Sequence, residues 1–248
     1  MTMPSDLPSD QFFLPDDYIA NDFFAAHDAL MGHEYWTDTR LRHTRLLQAP
    51  SYRHAASMIR QHGFTSLLDV GCGPGNKLEP ISKEFPKLRI IGVDQPKIIA
   101  FCRRNHRFGT WLIDNIEDPD PAIATLQADM LICSDVISHV RNPDILLRYL
   151  RDRLKPDGMI LLSTIDRERL LGANARTPSS KSHVRQWSAQ ELAAYVQSRG
   201  FSVRNHFHQY PWQIYPSRVV YKDVIKQLVT RMPPHLKYIQ VLELSVNR

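Results

Sequence analysis

Short apolar runs alternate with amphipathic segments along most of this chain of 248 residues. The runs are rich in leucine and β-branched residues and predict five buried strands, near 66–70, 89–93, 108–113, 129–134 and 159–164. Apolar positions at helical spacing fill the intervals and predict helices near 76–85, 96–105, 120–126 and 143–154. Such alternation is typical of an α/β fold with a parallel sheet, in which right-handed crossovers bring the strand ends to one edge.

One more helix and two more strands are predicted after residue 187. Ser188 and Glu191 have the spacing of a capping box, and Gly200 follows where that helix would end. Strands are predicted near 201–207 and 238–246. The insert between them, 210–236, contains four prolines and a predicted helix near 218–231. It either covers a site, forms the interface of a homodimer or serves as plain scaffold.

Charge and cysteine content narrow the class of protein. The net charge is +5, but the densest basic run lies on the predicted helix 143–154 opposite an apolar face, so we expect no nucleic-acid partner. Cys72, Cys102 and Cys133 are an odd number without C-x-x-C spacing, which argues against a disulfide framework. The chain shows neither a signal-peptide pattern nor an apolar run that could span a membrane, and we expect a cytoplasmic protein.

The first strand runs directly into a glycine-rich turn, Gly71-Cys72-Gly73-Pro74-Gly75. A phosphate-binding P-loop is excluded because Asn76 separates Gly75 from Lys77, and the dinucleotide fingerprint fails because it requires glycine at position 76. The second strand ends in Asp94. Neighbouring parallel strands end at the same crevice, so this acid is placed to bind the hydroxyls of a ribose.

These residues resemble the class I S-adenosylmethionine-dependent methyltransferases. Residues 69–75 match the first motif of that family, and Asp94 matches its ribose-binding acid. Three later segments match in the same order: 111–117 resembles the adenine motif, 128–136 the strand that closes the site, and 154–162 the turn before strand five. The resemblance implies a Rossmann-like doubly wound, seven-stranded, mostly parallel sheet that ends in an antiparallel hairpin. Another nucleotide-binding enzyme of Rossmann type is the alternative.

The resemblance also implies the cofactor, S-adenosylmethionine, and the residues that contact it. These are Asp69, Gly71, Gly73, Gly75, Asp94, Gln95, Asp114, Asn115, Ile116 and Ser134. It further implies a helical cap region, 1–64, before the methyltransferase domain, 65–248. Tyr35 and Trp36 in that cap are candidate acceptor contacts, although aromatic residues at helical spacing are more often part of a core.

His139, with Asp135, is the candidate catalytic group. Histidine titrates near neutrality and can accept the proton of a hydroxyl at working pH. The segment resembles the D/E-x-x-E-H-V element of several O-methyltransferases, whose acids and histidine can bind a divalent cation. Ser138 replaces the second acid here, so we expect no metal. The alternative is a histidine that packs at the start of a helix.

The polar segment 165–187 is longer than an ordinary connection and is predicted to form an acceptor-binding lid. Residues 183–188 resemble the H-V-R-E-W-S pattern of methyltransferases in polysaccharide pathways, with Gln186 in place of glutamate. We therefore expect a sugar or glycan hydroxyl as acceptor, with Trp187 stacking on a pyranose. The other predicted contacts are Arg167, His183 and Arg185. A solvated connector is the structural alternative.

Two other functions are compatible with the sequence. One is methylation of another small molecule, such as a quinone or a natural-product phenol or amine, which predicts an apolar acceptor pocket. The other is a non-catalytic module that binds the cofactor.

Overall fold

The fold is described from a computed structural model. It describes residues 12–31, 37, 44–211 and 236–247. Tyr35, Trp36, the helix predicted near 218–231 and most of the insert 210–236 lie outside the described residues. The division into a cap, 1–64, and a methyltransferase domain, 65–248, and the homodimer interface therefore stay predictions.

The described strands form one seven-stranded sheet in the order β3-β2-β1-β4-β5-β7-β6. Strands β1 to β5 pair in parallel, and β7 runs antiparallel to both β5 and β6. The prediction of a mostly parallel seven-stranded sheet with a terminal hairpin is confirmed. The bounds are β1 Ser66–Val70, β2 Arg89–Asp94, β3 Thr110–Ile113, β4 Ala128–Ser134, β5 Leu154–Ile165, β6 Phe201–Gln209 and β7 Ile239–Val246.

Helices cover both faces of this sheet. Their bounds are α1 Phe23–Met31, α2 Ala49–His62, α3 Leu78–Glu84, α4 Pro96–Asn105, α5 Pro143–Asp152, α6 Arg167–Leu171 and α7 Ala189–Ser198. The capping box of α7 is confirmed, since the Ser188 side chain accepts from the Glu191 amide and the Glu191 side chain accepts from the Ser188 amide. No helix in the described part of the chain has the length and apolar content of a membrane span.

The helix predicted over 120–126 is wrong. Only a short 3-10 turn, Pro121–Ile123, forms there. Asp120 caps this turn through a bond from the Ala122 amide, and Leu126 N–H bonds to the Ile123 carbonyl three residues back. The connection to β4 is thus closed by tight turns, which bond over three residues instead of four.

Alternation along the strands divides the core into two layers. In β1, Leu67 belongs to the layer under α2, α3 and α4, whereas Leu68 and Val70 belong to the layer under α5 and α7. Both layers contain many fully buried leucine, isoleucine and valine side chains. The edge where β1, β2 and β4 end is therefore held rigidly from both sides.

Asp129 fastens the opposite edge, where β1, β4 and β5 begin. Its Oδ2 accepts from the backbone amides of Thr65 and Ser66, each at 2.9 Å, and Lys155 Nζ lies 3.0 Å from Oδ1. Burial alone would raise the pKa of Asp129, but the bonds from Lys155, Ser66 and Thr65 hold it well below its usual range. The carboxylate is therefore more favourable in the folded chain than in the unfolded one.

Replacing Asp129 with asparagine is expected to lower the free energy of unfolding by about 1–3 kcal/mol at pH 7. Because the folded pKa is depressed, the advantage of the wild type is full above the unfolded value of about 3.9 and declines as the pH falls below it. Urea denaturation at several pH values checks this. An equal deficit at pH 3 and pH 7 would contradict the assigned role of the charge.

Candidate functional site

A cavity of ≈ 1290 Å³ opens at the carboxyl ends of β1, β2 and β4. One side is formed by the glycine loop and the turns after β2 and β3, and the other by α1 and the turn after β4. The structure brings most of the predicted site residues to its wall. These are Gly71, Gly73, Asp94, Gln95, Asp114, Asn115, Ile116, Ser134, Asp135, His139 and Arg185.

The conformation of the glycine loop explains why its first and last members lack a side chain. Gly71 has φ +71°, and a Cβ on it would lie 2.4 Å from Val136 Cγ2. Gly75 has φ +73°, and its Cβ would lie 2.7 Å from the Trp111 ring. A side chain at either position would therefore displace Val136 or the Trp111 ring. Gly75 thus packs beneath Trp111 and is not among the residues that line the cavity.

Asp94 joins the glycine loop to the end of β2. Its Oδ2 accepts from the Gly73 amide at 2.8 Å and its Oδ1 from the Gln95 amide at 2.7 Å. Burial raises the pKa of Asp94, while these two amides and the charge of Lys77 oppose the rise. Each carboxylate oxygen retains a second lone pair. Both can therefore accept a further bond from a ribose hydroxyl.

Replacing Asp94 with alanine is expected to weaken binding of S-adenosylhomocysteine by about 1–3 kcal/mol, because charge-assisted acceptors are lost. Titration calorimetry measures this. Asp152→Ala, at an exposed position at the end of α5, is the matched control and should bind like the wild type. Unchanged affinity in Asp94→Ala would contradict the ribose assignment.

Asp114 has a structural role that the sequence did not indicate. Its Oδ1 accepts from the Asp120 amide at 2.9 Å and its Oδ2 from the Tyr149 hydroxyl at 2.6 Å. The guanidinium of Arg153 lies 3.7 Å from Oδ2. Burial, followed by the bond to Asp114, raises the pKa of Tyr149. Asp114 therefore fastens α5 to the turn after β3, and its predicted contact with the adenine stays a prediction.

Asp69 lies below the cavity and belongs to a buried cluster with Tyr52 and Lys77. The Tyr52 hydroxyl donates to Asp69 Oδ2 at 2.9 Å, while Oδ1 is buried without a partner. Burial raises the pKa of Asp69 to about 7, against the charge of Lys77. Lys77 lines the cavity, with its ammonium 4.6 Å from the Tyr52 ring centroid. Sequence reasoning used Lys77 only to exclude a P-loop and did not indicate the hydrogen bond between Tyr52 and Asp69.

Gln48 is another cavity residue that the sequence did not indicate. It stands before α2 with φ +57°, a left-handed conformation that is uncommon outside glycine. Its Oε1 accepts from the Ser134 hydroxyl, which lies 2.9 Å from the Ser163 hydroxyl. This chain of hydroxyls connects the ends of β4 and β5 and fixes the position of Ser134. A glutamine in an irregular segment carries no motif that could have identified it.

The geometry around His139 defines its neutral tautomer. His139 Nδ1 lies 2.6 Å from the Ser182 carbonyl oxygen. A carbonyl can only accept, so Nδ1 carries the proton and Nε2 keeps its lone pair. Asp135 lies four residues before His139 and has φ +61°. The Oδ1 atom of Asp135 is buried without a hydrogen-bond partner. His139 and Asp135 both line the cavity, so a basic nitrogen is available at its wall.

His183 joins Asp135 and His139 in a cluster whose ligand atoms lie within 4.8 Å of one another. The Ser179 amide donates to Gln186 Oε1 at 2.7 Å, which directs the Gln186 amide nitrogen to His183 Nδ1 at 2.8 Å. Nδ1 of neutral His183 is thus an acceptor and Nε2 carries the proton. This tautomer is unsuited to a metal bond through Nε2. The absence of a metal stays a prediction.

The lid predicted over 165–187 stays a prediction, and the structure shows how its side chains are placed. The segment begins with α6, and two of its predicted substrate residues are fully buried. The guanidinium of Arg167 donates to both Glu191 carboxylate oxygens, at 2.9 and 2.7 Å. Trp187 donates from Nε1 to the Phe12 carbonyl at 2.8 Å and stacks on Tyr195. Neither side chain reaches the cavity, because residues from the start of the chain and from α7 cover them.

The remaining members of the lid prediction have different positions. Arg185 lines the cavity, whereas His183 packs against His139 with the ring centroids 4.6 Å apart. The cavity wall on the side of α1 is formed by apolar side chains that sequence reasoning did not single out. They are Phe23, Phe24, Leu30, Met31 and Leu47.

Known proteins share this sequence pattern and fold. A family model described as a methyltransferase domain matches residues 33–206. A ubiquinone biosynthesis O-methyltransferase of Coxiella burnetii is 26% identical over 141 residues, which cover 55% of this chain and 59% of that relative. One from Rickettsia conorii is 33% identical over 104 residues, which cover 41% of this chain and 35% of that relative. The chain therefore spans less than two thirds of either relative.

Solved structures extend the likeness over nearly the whole chain. The plantazolicin methyltransferase BpumL in complex with S-adenosylhomocysteine superposes with a TM-score of 0.61 and 16% identity, covering 91% of this chain and 95% of that one. The O-methyltransferase NcsB1 from neocarzinostatin biosynthesis, bound to S-adenosylmethionine and 2-hydroxy-5-methyl naphthoic acid, superposes with a TM-score of 0.54 and 16% identity, covering 80% and 51%. Because the matching family model spans the glycine loop and all strands from β1 to the start of β6, the chain belongs to the class I methyltransferases, which use S-adenosylmethionine as methyl donor.

Proposed function

We propose that this enzyme methylates a hydroxyl group of an apolar, aromatic small molecule. The observation that carries the proposal is the apolar wall that α1 and Leu47 present to the same cavity as His139. Phe23, Leu30 and Met31 supply a surface that gains free energy by covering apolar rings and loses it against sugar hydroxyls.

The burial of the predicted sugar contacts weighs against a glycan acceptor. Trp187 stacks on Tyr195 instead of facing the cavity, and Arg167 is paired with Glu191. The names of similar proteins agree with the aromatic alternative, since they include ubiquinone biosynthesis O-methyltransferases and an O-methyltransferase bound to a naphthoic acid.

The residues of this chain fit the cofactor and divide the work of the reaction. Asp94 and the backbone of the glycine loop bind the nucleoside end, and the cofactor supplies an electrophilic methyl group on its sulfonium. The acceptor would lie on the side of the cavity that α1 forms. With the cofactor bound, the acceptor oxygen would take its methyl group and S-adenosylhomocysteine would leave, while His139 Nε2 would accept the hydroxyl proton, so that the product is a methyl ether. Positioning and proton removal both lower the barrier.

The Ser182 carbonyl orients His139 for this step. It accepts a hydrogen bond from Nδ1–H and so directs Nε2 toward an incoming hydroxyl. After transfer, the same carbonyl stabilises the imidazolium, because its oxygen bonds more strongly to a charged donor. His139 lines the cavity, and its bond to Ser182 fixes which ring nitrogen is basic. Among the described residues on the cavity wall, no other histidine has its tautomer fixed in this way.

Methyl transfer from labelled S-adenosylmethionine to a panel of catechols, naphthols, monosaccharides and nucleotide sugars tests the proposal. We expect label in the phenolic ethers. Leu30→Gln should raise the acceptor KM about tenfold, because buried apolar contact is lost, with the affinity for S-adenosylhomocysteine unchanged. Ala25→Gln is the matched control, since Ala25 is exposed on the same helix and is not a cavity residue. Label only in sugars would refute the aromatic acceptor, and label in neither class would favour a non-catalytic module.

A further inference from the structure

We propose that the acceptor carries an anionic group of carboxylate type, which Arg141 and Arg185 bind beside the base. This inference rests on the proposed function and specifies its substrate class as hydroxyaryl carboxylates. Both arginines line the cavity, and Arg141 follows His139 by two residues in the turn after β4.

The guanidinium of Arg185 is fixed but retains free donor capacity. The side chain is buried, with 8% of the residue exposed, and Nη1 donates to the carbonyl oxygens of Arg141 at 3.0 Å and Val140 at 3.3 Å. Its Cζ lies 4.5 Å from the Phe12 ring centroid. Nε and Nη2 form the other edge of the guanidinium, and such an edge matches the two oxygens of a carboxylate.

Arg141 places a second positive charge on the acceptor side of the cavity. Its Cζ lies 5.6 Å from the ring centroid of Phe24, which belongs to α1. The residue is only partly exposed, and its guanidinium packs on the same helix that supplies the apolar wall. The two arginines therefore stand where a substituent of an aromatic ring on that wall would reach.

Within the described residues, neither guanidinium has a carboxylate within the 4.0 Å of an ion pair. Glu117 contributes a nearby negative charge, but its Oε1 accepts from the Asn142 amide at 2.9 Å. Burial raises the pKa of Glu117, and burial lowers the pKa of Arg185. A desolvated cation without a direct counter-ion is costly, and an anionic acceptor group would supply the missing partner.

Acidic side chains also line the cavity. They are Asp22, Asp94, Asp114, Glu117, Asp118 and Asp135. The acids closest in sequence to α1 and to Arg141 already accept from backbone amides, Asp22 Oδ1 from Ala25 at 2.8 Å and Glu117 Oε1 from Asn142 at 2.9 Å. An anionic group would be repelled by the carboxylates and attracted to the two arginines, so it would hold the ring in one orientation with a hydroxyl near His139.

Calorimetry with the protein saturated with S-adenosylhomocysteine tests the inference without turnover. The probes are 3,4-dihydroxybenzoate and its uncharged amide. We expect the carboxylate to bind about 10- to 100-fold more tightly than the amide. Arg141→Gln should reduce this ratio to near one, and Arg185→Lys should reduce it severalfold because a lysine cannot replace the planar fork. Arg148→Gln, an exposed position on α5, is the control and should keep the full ratio.

Three results with the two probes would overturn the inference. They are equal binding of the two probes by the wild type, binding of neither, and a ratio that survives both Arg141→Gln and Arg185→Lys. Loss of affinity for S-adenosylhomocysteine in Arg141→Gln would also overturn it, since the bound anion would then be the carboxylate of the cofactor. Methyl transfer to neutral phenols with no preference for the carboxylate leaves the proposed function intact and removes this inference alone.

Discussion

Replacement of His139 by alanine is expected to lower kcat by about 100-fold or more, while the affinity for S-adenosylhomocysteine stays within a factor of about two. The physical reason is that His139 Nε2 is a basic nitrogen at the cavity wall, with its tautomer set by the bond from Nδ1 to the Ser182 carbonyl. Single-turnover kinetics and calorimetry measure the two quantities separately.

Two controls accompany this variant. His62→Ala changes an exposed histidine at the end of α2 and should leave kcat unchanged. Addition of a chelator to the wild type should leave activity intact, because the tautomer of His183 is unsuited to ligating a metal through Nε2. Activity within a factor of about three in His139→Ala would mean that the enzyme works by proximity alone. Loss of activity with the chelator would instead assign Asp135, His139 and His183 to a metal.

Replacement of Trp187 by alanine is expected to lower the free energy of unfolding by about 3–5 kcal/mol. The indole is fully buried, stacks on Tyr195 with an interplanar angle of 9° and donates to the Phe12 carbonyl. Its removal would leave a cavity between α7 and the first described residues of the chain. Urea denaturation measures the loss, and Trp187→Phe should recover most of it because the stacking remains.

Leu171→Ala is the matched control in the same segment, since this leucine at the end of α6 is 45% exposed. It should change the stability by less than about 0.5–1 kcal/mol. If Trp187→Ala left stability unchanged and raised the acceptor KM, Trp187 would be an acceptor contact as the lid hypothesis holds, and the structural assignment would fail.

The connections between remote parts of the chain had no signal in the sequence. Asn21 donates from its amide to the carbonyl of His183, and the Tyr18 hydroxyl accepts from the Gln186 amide. These bonds attach the start of the described chain to the segment after β5. A lid that opens would have to break them. A polar run looks the same in sequence whether its partners are solvent or a distant backbone.

The sequence by itself determined the sheet, the glycine loop and the place of Asp94, because these depend on short-range rules. Residue alternation marks strands, glycine permits positive φ, and the residues immediately after each parallel strand gather at the crevice where the strands end. Only the tertiary structure decided which polar residues face the cavity. Burial and pairing depend on neighbours far along the chain, so Trp187 and Arg167 became part of the core while Arg185 reached the site.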